Sequence, residues 1–164
     1  MKTLVMLNAV IATAAIATVR AGDIEPPFTK EGLWEATTSH TAAGKTSQMK
    51  MKICQNRDTQ QKDRDLSLQL RQKDQCTHTT TLAGTGVYVM EKKCTTGPNA
   101  GSATKATMTI QGDGAYRLDM HMTSSAGAES AMIVEAKYLG PCPADMKPGD
   151  AVMPDGRKMS TTGN

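Results

Sequence analysis

From Leu33 onward the chain alternates apolar and polar residues with the two-residue period of a half-buried β-strand. The stretch Leu33 to His40 puts Trp34, Ala36 and Thr38 on one face and Glu35 and Thr37 on the other. Ser47 to Ile53 sets Met49, Met51 and Ile53 against Lys50 and Lys52, and Gly44 stands where the intervening turn is needed. Two Thr- and Val-rich arms, Cys76 to Leu82 and Val87 to Cys94, flank Ala83-Gly84-Thr85-Gly86, whose glycines suit a hairpin turn. A second hairpin joins Ser102 to Gln111 with Ala115 to Thr123 through Gly112-Asp113-Gly114. Its first arm carries Met108 and Ile110 on one face; its second carries Tyr116, Leu118, Met120 and Met122. Gly127 marks a further turn, and Ala131 to Leu139 is the last long strand. Short strands with regular turn signals predict a mainly β fold, an antiparallel meander forming a curved sheet or a small barrel.

One stretch breaks the pattern. Gln55 to Gln75 is rich in Gln, Asp, Lys and Arg, and its only apolar residues are Leu66, Leu68 and Leu70. Those leucines alternate as in a strand, yet Leu66 and Leu70 also share a helical face, and periodicity does not separate the two. We expect at most a short helix between Cys54 and Cys76, with the leucines touching the core. Before the sheet, residues 22–31 contain Pro26-Pro27 and read as an extended lead-in that cannot join a sheet interior. The β domain then covers 32–142. Residues 143–164 read as an irregular tail, broken by Pro143, Pro148 and Pro154, with a tight turn at Asp155-Gly156.

The first residues form a different kind of segment. Lys2 supplies a positive start, Leu4 to Val19 is an almost uncharged apolar run, and Val19-Arg20-Ala21 offers small residues at the positions a signal peptidase reads. Residues 1–21 are therefore expected to be a cleaved signal peptide, leaving no stable membrane span and a periplasmic or secreted product. Cleavage removes Lys2 and Arg20 and lowers the formal charge of +3 by two. A surface this close to neutral gives no electrostatic reason to expect nucleic acid as a partner.

Composition adds a need for staples. Hydrophobic residues make up 38% of the chain, and the aromatics amount to one Trp, one Phe and three Tyr, so the core has few large anchors. All four cysteines follow the expected leader, and an even number in an oxidising compartment implies two disulfides. Folding the first hairpin about its glycines brings Cys76 beside Cys94, which leaves Cys54 for Cys142.

Several landmarks stand in order along the chain. They are Gly32-Leu33-Trp34-Glu35 at the start, Ile53-Cys54 closing the second strand, and Cys76 and Cys94 flanking a hairpin. Gly112-Asp113-Gly114-Ala115-Tyr116 stands at a turn, and Tyr138-Leu139-Gly140-Pro141-Cys142 forms a terminal signature. Taken together these landmarks resemble the exported bacterial family called domain of unknown function 3617; the resemblance implies an exported β-rich domain and brings no catalytic residues with it. The chain departs from the family pattern between Cys54 and Cys76, where a proline-containing acidic helix start is missing.

Methionine is the most distinctive chemistry. Twelve Met residues include Met49-Lys50-Met51 and Met120-His121-Met122, and thioether with imidazole is a copper donor set. Strand alternation, however, puts Met120 and Met122 on the apolar face and His121 on the other. Methionine also fills core gaps where aromatics are scarce. His40, His78 and His121 have no metal-ligand spacing, no Cys-x-x-Cys pair indicates zinc, and no Gly-x-Ser-x-Gly elbow indicates a hydrolase. The expectation is a non-enzymatic exported domain without metal or cofactor. Its binding candidates are Trp34, Met49, Met51, Met120 and Met122, and its candidate partners are a small apolar ligand or an envelope protein. The alternatives are a periplasmic copper protein and a purely structural or protein-interaction module.

Overall fold

The computed structural model describes residues 24–160, so the expected leader lies outside the described residues. The chain forms β1 (Gly32–Ala42), β2 (Lys45–Gln55), α1 (Arg57–Lys73), β3 (Thr77–Gly84), β4 (Val87–Lys93), β5 (Ala103–Gln111), β6 (Ala115–Thr123), β7 (Glu129–Gly140), β8 (Asp150–Val152) and β9 (Lys158–Ser160). The strands make one antiparallel sheet in the order β3-β4-β5-β6-β7-β1-β2-β8-β9. It is open, so of the two expected forms the sheet is present and the closed barrel is not. Both hairpins and both disulfides, Cys54–Cys142 and Cys76–Cys94, are as the sequence predicts.

Cross-strand register sorts the side chains into two unlike faces. Residues directly opposite one another share a face, and Trp34 lies opposite both Ile53 and Tyr138. Tyr116 lies opposite Ala136, Met108 opposite Leu118, and Tyr88 opposite Met108. Leu82 on β3 continues the row against Tyr88. One face is therefore apolar from β3 to β2. The other is solvated and laced with cross-strand ion pairs, including Glu35 to Lys50 at 3.0 Å and to Lys137 at 3.2 Å. Arg117 on that face contacts Asp119 at 2.8 Å and Glu135 at 2.5 Å. The Lys50 and Lys137 ammonium groups hold the Glu35 carboxyl below its ordinary value.

Burial is concentrated where β1 meets β7. Trp34, Ala36 and Ala136 are buried, and Met51, Ile53, Tyr116, Val134 and Tyr138 pack against them. The start of β1 needs glycine: Gly32 has φ +135°, and a Cβ there would run into the Gly140 carbonyl and lie 2.7 Å from the Tyr138 ring. A bulge between Leu33 and Trp34 follows at once.

Three details differ from expectation. The polar stretch forms a 17-residue helix rather than a short one, because Asn56 and Thr59 make a capping box and most of the segment is Gln, Lys, Arg, Asp and Leu. Its leucines are not buried: Leu66, Leu68 and Leu70 are 56%, 39% and 58% exposed. The tail is less irregular than its prolines imply. The Cys54–Cys142 bridge holds it against β2, where Ala151 pairs opposite Ile53. The Asp155-Gly156 turn then returns β9 onto β8.

Candidate functional site

The helix links the two halves of the sheet. It leaves β2 at the end where Gln55 faces Gly32, and delivers the chain to Thr77 at the opposite end of β3, six positions away in the strand order. Leu70 and Arg71 line a cleft together with Met90, Leu118 and Met120, so the helix crosses the apolar face. The lead-in runs beside it in the reverse direction. Glu31 accepts from the Arg57 amide, the Gln60 side chain bonds Thr29, and Arg64 reaches Glu25 and the Pro26 carbonyl. Phe28 is held between the guanidinium groups of Arg57 and Arg64, 4.4 and 3.6 Å from its ring centroid.

This upper layer covers the apolar face incompletely. A cleft of about 430 Å³ lies at the lead-in end, between Phe28, Arg57, Trp34, Ile110 and Tyr116. A second, of about 340 Å³, lies near the helix C-terminus over Met90, Ala106, Leu118 and Met120. Tyr88, Met90, Met108, Leu118, Met120 and Met132 are all only half-buried. Contiguous exposed apolar surface of this kind commonly marks an interaction or ligand-binding site.

The expected site residues fall at different places on this face. Trp34 is 3% exposed and forms a wall of the larger cleft; its Nε1 donates to the Lys30 carbonyl at 2.7 Å, and its ring stands 5.7 Å from those of Tyr116 and Tyr138. Burial pushes the Tyr116 phenol pKa up, which keeps it neutral. Met51 packs on the Trp34 cluster, whereas Met49 is 41% exposed. Met120 lines the smaller cleft and Met122 lies half-buried beyond it, opposite Thr104. Strands β7 and β1 separate the two Met-x-Met pairs, a spacing of roughly 14 Å. The fold does not bring them to one point. His40 and His121 are exposed, and among the described residues no group of three or more His, Cys, Asp or Glu is placed to hold a metal.

A polar cluster at the smaller cleft was not expected. Asp74, the C-cap of α1, accepts from the Lys92 ammonium at 2.6 Å and contacts His78 Nε2 at 3.0 Å. Its carboxylate also accepts from the Cys76 amide at 3.1 Å. The Lys92 contact, aided by His78 and the amide, holds the Asp74 carboxyl far below the usual carboxylate range. Because the native value lies below the unfolded one, this contribution is fully present above about pH 4 and is lost as pH falls through the native value. Thermal unfolding followed from about pH 5 to pH 2 is therefore expected to show a steeper acid loss in the parent than in Asp74→Asn. The one sequence sign of the cluster is the four-residue spacing of Asp74 and His78. Lys92 arrives from β4, while Arg71 stands in the last turn of α1, three residues before Asp74.

A search of curated proteins finds no match to the chain. A family model matches residues 29–142, a stretch that contains β1 to β7, α1 and all four cysteines, and so the whole apolar face. The chain thus belongs to the family described as protein of unknown function (DUF3617).

Proposed function

We propose that this protein is a non-enzymatic, exported binding module that holds a small apolar ligand between the apolar sheet face and the layer made by α1 and the lead-in. The observation that carries this reading is the apolar row from exposed Leu82 through half-buried Tyr88, Met108 and Leu118 to Val134. It lies open beneath a helix whose own leucines are exposed. Clefts of about 430 and 340 Å³ are in the lower part of the range of small-molecule sites. Methionine and leucine walls adapt to a flexible guest more readily than rigid aromatic ones. Two disulfides are compatible with an oxidising compartment and hence with export. The copper alternative draws less support, since its thioethers stand in two separated groups.

Protein purified from a host that exports it, then extracted with organic solvent for mass spectrometry, is expected to yield a bound apolar molecule in roughly molar proportion. Recovery of none, together with no uptake of a neutral alkyl probe by the stripped protein, overturns the reading.

A further inference from the structure

The smaller cleft has a charge arrangement that selects among apolar ligands. Its floor is Met90, Ala106, Leu118 and Met120, and its rim carries Arg71, Asp74, His78 and Lys92. The acidic groups near it are already matched. Asp74 is bound by Lys92 at 2.6 Å and His78 at 3.0 Å. Glu91 is paired with Lys105 at 3.6 Å, and Glu25 with Arg64 at 3.2 Å. Arg71 is different. It is half-buried, lines this cleft and the neighbouring one beside Ile24, and has no carboxylate or carbonyl partner among the described residues. A planar guanidinium held at the edge of an apolar floor, with its neighbours' charges neutralised, is a fork for a carboxylate or phosphate.

Resting on the binding reading above, we infer that the ligand is a single-chain amphiphile whose oxyanion head is held by Arg71 and whose alkyl tail lies over Met90, Leu118 and Met120. The tail supplies apolar burial and the head supplies orientation, as in other sites where a few polar groups fix an apolar guest. Lys92 stays with Asp74, so Arg71 carries the head by itself.

Calorimetric titration of the stripped protein with dodecanol, dodecanoate and dodecyl phosphate tests this. Both anionic probes are expected to bind more tightly than dodecanol, by roughly tenfold or more, the scale of one charge-assisted contact. Arg71→Ala should abolish that preference, so that the three probes bind the variant alike, and Arg71→Lys should keep part of it. The tighter anion identifies the head as carboxylate or phosphate. Equal binding of all three probes by the parent overturns the inference and leaves the apolar-ligand reading standing; binding of none overturns both. The preference shown by the parent protein decides the matter even if a variant folds poorly.

Discussion

Replacing Cys54 and Cys142 together by alanine is expected to cost about 4–5 kcal/mol of folding stability, more than removing the other bridge. The bridge closes a separation of 88 residues, and the chain-entropy relation assigns a loop of that size about 4.6 kcal/mol. Cys76–Cys94 closes only 18 residues at the end of a hairpin, for which the same relation gives about 3.2 kcal/mol. The longer bridge also anchors more structure. Cys54 is fully buried, its carbonyl accepts from the Gly149 amide at 2.8 Å, and Met146 and Ala151 are buried beside it. Without the link, the tail is held to β2 by the short strand β8 and the Gly149–Cys54 backbone bond, and β9 is joined to the sheet through β8. Urea denaturation without reductant should therefore lower the midpoint more for the Cys54/Cys142 double variant than for the Cys76/Cys94 one. The reverse order contradicts the assignment.

Trp34→Ala is expected to destabilise by about 3–5 kcal/mol, the usual range for emptying a large buried aromatic site. The cost belongs at the upper end because the chain has little with which to refill the space. Trp34 is the single tryptophan, its neighbours Ala36 and Ala136 are small, and Tyr116 and Tyr138 each lose a ring contact. Trp34→Phe keeps much of the volume but leaves the Lys30 carbonyl without its donor, a further loss of about 1 kcal/mol. Equilibrium denaturation of both variants should rank them Trp34→Ala, then Trp34→Phe, then the parent, in order of rising stability. Because Lys30 lies in the last part of the lead-in, both should also loosen the layer over the larger cleft, seen as faster amide exchange around Thr29 and Gln60.

The strands were legible because their alternation is unbroken. Met49, Met51 and Ile53 against Lys50 and Lys52 leave no other regular structure that buries one face and solvates the other. The pairing of Cys76 with Cys94 followed from the same hairpin logic. The helix was harder to read because its apolar residues sit two apart, which is a strand's spacing. The capping box at Asn56 and Thr59 was the better signal. Strands β8 and β9 have three residues each, too few for any periodicity, and exist because a disulfide holds the tail to an edge. Among the site residues, Trp34 and Met120 could be placed on the apolar face from sequence. Arg71 could not be placed beside Met120, since that contact depends on the path of α1 over the sheet.

Methionine makes the central claim directly measurable. Met49, Met51, Met90, Met108, Met120, Met122 and Met132 all belong to the apolar face, while Met146, Met153 and Met159 lie in the tail. With 13C-methyl methionine, an apolar probe such as dodecanol is expected to shift the Met90, Met108 and Met120 signals at saturable, substoichiometric-to-equimolar ratios and leave Met153 and Met159 unmoved. Shifts confined to the tail methionines, or no saturable shift at any face methionine, would contradict binding on the apolar face.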